Sequence, residues 1–499
     1  MTAVALARRP ARVLRLEIKH SPVPWVLPLI AALFFFNTYR TAAGFPAIWT
    51  VRASVITDHM LFDFGAFACG LSAWAGSREG RRKTTDLVAT TARPAWTRQA
   101  AVLAGTMFWL VLAFLAGVAV LYVQTARQAT WGGPPLWPVA VGVVGVVTVC
   151  AIGFTCGALF PGRFTAPLAA IAVLVLNMVG LRAALGSSSP YALLSPATSV
   201  PPVDAGLFYR VPPDVAIAQV MSMGGITVTA VGVLALALTF RRSAGGSGRW
   251  LRPVAAALVA AGVAASATAF GLTGTAKQGV AGWDIPALHD AASDQPIAYA
   301  PDCAGTSFQV CLHPAFGSYL SDMAVALDPV AAEIAGLPGA PVRAEEVASA
   351  LRAGGFREAL RTGGFQESVI TGTPPVFEFN GELVGNFLGP FWGIMDPAGW
   401  RAGFQQGLLE AFVARPSQAA LGNIAPAQQA VVTALMSAAS SQPQLPRQDG
   451  PGTQAGPSRP QIAAAAQRFA ALSPAARHAW LAAHLPALRA GHITLAQLP

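Results

Sequence analysis

Apolar residues run in long unbroken blocks through the first half of the chain and in shorter, helically spaced clusters through the second. A helix needs roughly 20 mostly apolar residues to cross ~30 Å of hydrocarbon. Seven blocks answer to that description, at about 24–42, 59–76, 100–123, 138–160, 165–184, 218–240 and 253–272. The second is the weakest, because Asp63 sits inside it and its clean apolar run is short. Spans four and five are parted only by Pro161-Gly162-Arg163-Phe164, which reads as a tight turn between neighbouring helices.

Beyond 272 the pattern changes. Helical spacing predicts elements over 317–335, 343–361, 397–414 and 425–440, with Gly336 and Gly354 as stops. Residues 441–460 have the composition of a flexible linker. Ser473-Pro474 then supply a cap and first turn for a helix to about 490. Its Trp480, Leu481, Leu485 and Leu488 form an apolar stripe that folds back onto the preceding domain. The expected fold is an all-α polytopic membrane protein with about seven transmembrane helices and a mainly helical extracellular C-terminal domain. Its parts are a basic amphipathic lead-in (1–23), a transmembrane domain (24–272), an extracellular domain (273–440), the linker (441–460) and a C-terminal helical segment (461–499).

Composition agrees with the pattern. Of 499 residues, 54% are hydrophobic and 11% charged, against about 25% charged in a soluble domain. Net charge is +10, but residues 1–272 carry 21 Lys and Arg against 7 Asp and Glu, and residues 273–499 carry 12 against 16. Basic patches between apolar runs describe a protein whose partner is the lipid bilayer and not nucleic acid. With seven spans, 16 basic residues at 8–19, 78–98, 163 and 241–252 fall on one side. Arg40, Arg52, Arg127, Arg182 and Arg210 fall on the other. Positive loops stay inside, so the N-terminus is expected in the cytoplasm of a bacterial cell and the C-terminal domain outside its plasma membrane. The lead-in lies along the inner membrane face or is a solvated basic flank. Asp58, His59 and Asp63 cluster at the outer end of span two, with His59 and Asp63 one turn apart. They form either an outer gate or a hydrated helix end. Gly153 and Gly157 make a GxxxG pair, which suits close helix packing in the bundle or in a dimer.

Between spans two and three runs SREGRRKTTDLVATTARPAWTR, residues 77–98. Glu79 stands among basic residues, a short amphipathic stretch follows, and Arg93-Pro94 lead into span three. This order resembles the permease subunits of type-2 ABC transporters over roughly residues 10–272, on Glu79, Arg81, Arg82, Thr85, Asp86, Leu87, Thr90 and Pro94. The resemblance implies that these residues form the coupling helix that docks on an ATP-binding subunit, and that a second permease copy or related permease completes the transporter. It departs from the family core in its seventh span and large outer domain, which looks like those appended to actinobacterial-type permeases. A phosphate-cradling loop needs GxxxxGK and a hydroxyl residue, and none of Lys19, Lys83 and Lys277 has that context. Cofactors are expected to be absent from this chain, with ATP and Mg on the partner.

Cys303 and Cys311 are the only cysteines beyond the spans. In an oxidising compartment they read as a small-loop disulfide closing a short hairpin over 297–314; a metal pair is the poorer reading, since only His313 is near. No HExxH or GxSxG occurs, so catalytic and metal sites are not expected. The function implied is an ATP-driven permease subunit, exporting an amphipathic or apolar substrate. The alternative is a polytopic membrane anchor displaying a ligand-binding or scaffolding domain.

Overall fold

The computed structural model describes residues 12–39, 47–56, 64–83, 95–186, 190–195, 205–240, 251–279, 282–347, 368–379, 397–414, 424–439 and 458–499. They fall into two compact units. One takes the chain up to Ala129 with Gly133–Pro201 and Val211–Asp294; the other takes Thr130–Gly132, Pro202–Arg210 and Gln295–Pro499.

The first unit is helical. Its main elements are α1 (Val23–Phe34, continued by a π-turn over Phe35–Tyr39), α2 (Trp49–Val55), α3 (Gly65–Gly76), α4 (Ala95–Gln128), α5 (Leu136–Leu159), α6 (Thr165–Gly186), α7 (Asp214–Phe240) and α8 (Leu251–Thr273). Four of these, α4, α5, α7 and α8, are long and apolar enough to cross a membrane, and α1 and the Thr165–Gly180 part of α6 are shorter apolar helices. The chain is a mostly helical membrane protein. The blocks at 24–42 and 59–76 each contain a 12-residue helix, α1 and α3; residues 40–42 and 59–63 lie outside the described residues. Helix α4 has 34 residues, or about 51 Å at 1.5 Å per residue. That exceeds the hydrocarbon thickness, so its ends project into polar surroundings. Helix α7 begins four residues before its apolar block, at Asp214 behind Pro212-Pro213. Hydropathy marks only the lipid-facing length, whereas the backbone continues while a proline-led, acidic first turn favours it.

Two close helix pairs organise this unit, and both depend on missing side chains. A Cβ at Gly153 would lie 2.2 Å from the Cys69 carbonyl oxygen, and one at Gly157 would lie 2.0 Å from that of Ala73. The GxxxG pair therefore seats α5 directly on the backbone of α3. Likewise Gly225 of α7 and Gly262 of α8 face each other, and a Cβ on either would come within 2.6 Å of the other's carbonyl oxygen. Hydroxyls add directed bonds across helices: Ser72 donates to the Cys150 carbonyl at 2.7 Å, Thr148 to that of Met223 at 3.0 Å and Ser266 to that of Ser222 at 3.1 Å. Small residues and cross-helix hydroxyls are the contacts that hold helices together where the surrounding solvent is itself apolar. Ahead of α1, residues 12–19 are helical, and Ile18 offers its carbonyl to the Trp109 indole at 2.8 Å. The lead-in is thus anchored against α4.

The second unit is an α/β body. A five-stranded sheet has the order β3 (Asp302–Ala304), β4 (Gln309–Leu312), β5 (Arg343–Glu346), β7 (Val376–Phe379), β6 (Val369–Thr371), numbered after the two-stranded β1 (Lys277–Gln278) and β2 (Trp283–Asp284) of the first unit. The outer pairs are antiparallel and the two inner pairings parallel. Cys303 and Cys311 face each other across β3 and β4 and are joined by a disulfide, as the hairpin reading expected. The helix expected over 343–361 is instead strand β5 at its start, and 348–361 lies outside the described residues. The strand is stabilised by neighbours on both edges, which local spacing does not reveal. Helices α9 (Leu320–Ile334), α10 (Pro397–Val413), α11 (Pro426–Ala439), α12 (Arg459–Ala470) and α13 (Pro474–Arg489) complete the unit. On α9, Met323, Leu327, Val330 and Ile334 are fully buried at helical spacing. Phe404 of α10 meets Phe379 of β7 edge-on.

The C-terminal segment docks on this body. Ser473 caps α13, and Leu481, Leu485 and Leu488 are buried. Arg477 reaches Glu333 of α9 at 2.9 Å, and Gln428 of α11 donates to the Leu488 carbonyl at 2.8 Å. Helix α12, capped by a reciprocal Ser458–Gln461 box, starts inside the stretch that composition assigns to the linker.

Replacing Gly157 by alanine should force α3 and α5 apart and cost roughly 1–3 kcal/mol, the usual range for overpacking. Gly224→Ala, with no described residue within 4 Å of the new methyl, should be neutral. Thermal unfolding of the detergent-solubilised proteins distinguishes the two, with a midpoint lowered by several degrees expected only for Gly157→Ala.

Candidate functional site

Of the coupling-loop residues, Glu79, Arg81 and Arg82 are described; Thr85, Asp86, Leu87, Thr90 and Pro94 lie outside the described residues, as do Asp58, His59 and Asp63. At the foot of the loop, α3 ends at Gly76 and a four-residue helix, Arg78–Arg81, follows. Glu79 receives Arg98 of α4 through Nε at 2.9 Å and Nη2 at 3.4 Å. Both side chains are about one-fifth exposed, so solvent screens this two-pronged pair less than one standing free at the surface. Arg78 lies 3.7 Å from Glu17 of the lead-in. Arg81 stacks 4.7 Å from the Trp74 ring centroid and donates to the Trp74 carbonyl at 2.9 Å, while Arg82 is exposed. Gly80 abuts the turn between α5 and α6: a Cβ there would lie 2.3 Å from Pro161. The residues on either side of 84–94 are therefore cross-tied, to each other and to the lead-in and the α5–α6 turn.

A second polar cluster, which the sequence motifs did not single out, lies at the start of α7. Asp214, the first residue of that helix, is fully buried. Its Oδ2 accepts the Ile285 amide at 2.9 Å and lies 3.2 Å from His289 Nδ1. The β1–β2 hairpin presents Asp284, whose Oδ1 is 3.5 Å from the same nitrogen. The other face of the imidazole, Nε2, is 3.2 Å from Asp294 Oδ2. His289 is positioned by a turn in which its amide and that of Leu288 bond the Ile285 carbonyl. Burial disfavours a charge on His289, but the hydrogen bond to Asp294 and the charges of Asp284 and Asp214 outweigh it, and its pKa is raised. Burial also raises that of Asp284, with Asp294 and Asp214 adding to the effect and His289 opposing it. The sequence signal was present as Asp284, His289 and Asp294 at intervals of five in a charge-poor chain. Asp214, 70 residues before Asp284, could be joined to them only by folding.

In the second unit His313 is fully buried. Its Nδ1 accepts the Ala315 amide at 3.1 Å, and its own amide donates to Glu346 at 2.7 Å. Trp131, Phe208 and Tyr299 surround the ring with centroids 4.5–5.2 Å away. Burial pushes the imidazole pKa down to about 4, against an opposing pull from Asp302. An apolar, hydrogen-bonded ring of this kind is a core histidine held neutral.

The chain was compared with protein-family models, curated proteins and solved structures, and no match was found in any of the three. What these sites do rests on their own geometry.

A histidine whose folded pKa lies below its unfolded value of 6.5 contributes stability that is complete above 6.5 and lost as pH falls toward 4. Relative to His313→Asn, which keeps an acceptor for the Ala315 amide but does not titrate, the wild type should lose on the order of 3 kcal/mol between pH 7 and pH 4. Denaturant unfolding of both proteins across that interval checks it.

Proposed function

We propose that this chain is the membrane subunit of an ATP-driven transporter of the type-2 ABC kind, coupled to a separate ATPase through residues 77–98. In this reading seven segments cross a bacterial plasma membrane, the N-terminus is cytoplasmic and the Gln295–Pro499 body lies outside. Two permease copies, or this chain and a related one, enclose the path of an amphipathic or apolar substrate. ATP and Mg belong to the partner.

The observation that carries the proposal is the cross-tie at the two feet of the loop. Force applied by a partner to a loop on loose stems would be dissipated in the stems. Here Glu79 and Arg98 join the end of α3 to the start of α4, Arg78 extends the tie to Glu17, and Gly80 sits against Pro161. Displacement of the loop is thereby passed to several helices together. The order of charge cluster, amphipathic stretch and proline supports the same role, and the four apolar helices suit the setting.

Gentle-detergent purification of the tagged protein from its native host should bring down a stoichiometric chain bearing a phosphate-cradling loop. Leu87→Asp should release that chain with membrane insertion intact. Arg98→Ala should keep it bound but weaken substrate-stimulated ATP hydrolysis severalfold. A protein that emerges alone under several conditions overturns the proposal and leaves a membrane anchor.

A further inference from the structure

The geometry points to a binding site for a divalent transition-metal ion, of the zinc class, formed by Asp214, Asp284 and His289 Nδ1, with Asp294 orienting the imidazole. One ligand atom from each of the three residues lies within 4.8 Å of the others. His289 Nδ1 stands 3.2 Å from Asp214 Oδ2 and 3.5 Å from Asp284 Oδ1. Donors about 2.1 Å from a tetrahedral metal are about 3.4 Å from one another, so both spacings to the imidazole nitrogen suit a shared ion.

Two further features favour an ion over a plain histidine–aspartate pair. The first is an unmet need for positive charge. Asp214 Oδ1 is buried and accepts no hydrogen bond among the described residues, and the same holds for Asp284 Oδ1. Among the described residues no Lys or Arg is ion-paired with Asp214, Asp284 or Asp294. Even a protonated His289 leaves three carboxylates facing one cation. A buried carboxylate oxygen without a donor is costly, and a metal ion supplies the missing partner. The second is the outward face of the ring. Metal-bound histidines characteristically give their other N–H to a carboxylate, which holds the tautomer and the ring plane, and Nε2 lies 3.2 Å from Asp294 Oδ2.

The donor set also chooses the metal. Calcium takes six to eight oxygens, and magnesium keeps most of its water, so neither is matched by one imidazole and two carboxylates. That mixed set suits zinc, and cobalt can replace it as a probe. Three protein donors leave a fourth position of a tetrahedral ion for water or another ligand. Binding would fasten residues 284–289, which follow the last apolar helix, to the first residue of α7. The site lies wholly within the first unit and does not depend on the transport proposal.

The test uses the full chain, purified in detergent without a polyhistidine tag, stripped with chelator and desalted. Titration with Zn²⁺ should show one ion per chain by calorimetry and a raised unfolding temperature. Asp214→Asn and His289→Ala should each weaken binding at least ~100-fold, and Asp294→Asn ~10–100-fold. Co²⁺ provides a reading free of any folding defect in the variants: the stripped wild type should acquire the visible absorption of tetrahedral cobalt, abolished by one equivalent of Zn²⁺. The inference is overturned by any of three results: no saturable binding with a cobalt spectrum unchanged from that in water, zinc binding equal in the wild type and both stronger variants, or preference for Ca²⁺ over Zn²⁺.

Discussion

Apolar side chains gain little by meeting one another when the surrounding solvent is itself hydrocarbon, so membrane helices cohere through close backbone approach and directed polar contacts. The first unit is built on that constraint. The Gly153–Gly157 stretch of α5 lies on the carbonyls of Cys69 and Ala73 in α3, and α7 and α8 touch where Gly225 faces Gly262. Hydroxyls of Ser72 and Ser266 bind backbone oxygens across the same interfaces, and Thr148 of α5 binds the Met223 carbonyl of α7. Large apolar residues of α4 such as Leu112, Val120 and Val123 stay on the outside, where lipid tails solvate them. The positions of α3 and α7 follow from these contacts, and with them the polar structures at the helix ends.

Those ends use their few charges differently. At Glu79 and Arg98 opposite charges meet at partial exposure, so the pair works as a brace, and salt can modulate it. At Asp214 charge is buried without a balancing Lys or Arg among the described residues, and the imidazole of His289 lies between acids. In the second unit, by contrast, buried His313 sheds its charge, because apolar rings surround it and hydrogen bonds satisfy Nδ1 and the amide. The same residue type thus answers to two environments: carboxylates favour the cation at 289, and aromatic burial favours the neutral ring at 313.

The Gln295–Pro499 body holds together by ordinary soluble-protein means. Met323, Leu327, Val330 and Ile334 on α9 and Phe377 and Phe379 on β7 are wholly buried. Arg477 ties α13 to α9 through Glu333, which gives the C-terminal helices a defined seat.

Local signals were sufficient for much of this. Apolar blocks marked α4, α5, α7 and α8 because lipid selects on composition over about 20 residues. Ser473-Pro474 marked the start of α13, and two lone cysteines marked the β3–β4 hairpin. Helix α12 fell within the 461–499 segment read as helical, but its start was assigned to the linker because its cap stands in a Pro- and Gly-rich stretch, and β5 read as helix because Glu345 and Glu346 have no strand preference of their own. The coupling loop was legible in its order of residues, but not the pairing of Glu79 with Arg98 across 19 positions. The sequence by itself determined that the chain is membrane-embedded and where its longest apolar helices run, since these depend on neighbours along the chain. Only the tertiary structure brought Asp214 to Asp284 and His289, and α5 onto α3, because both depend on contacts between segments distant in sequence.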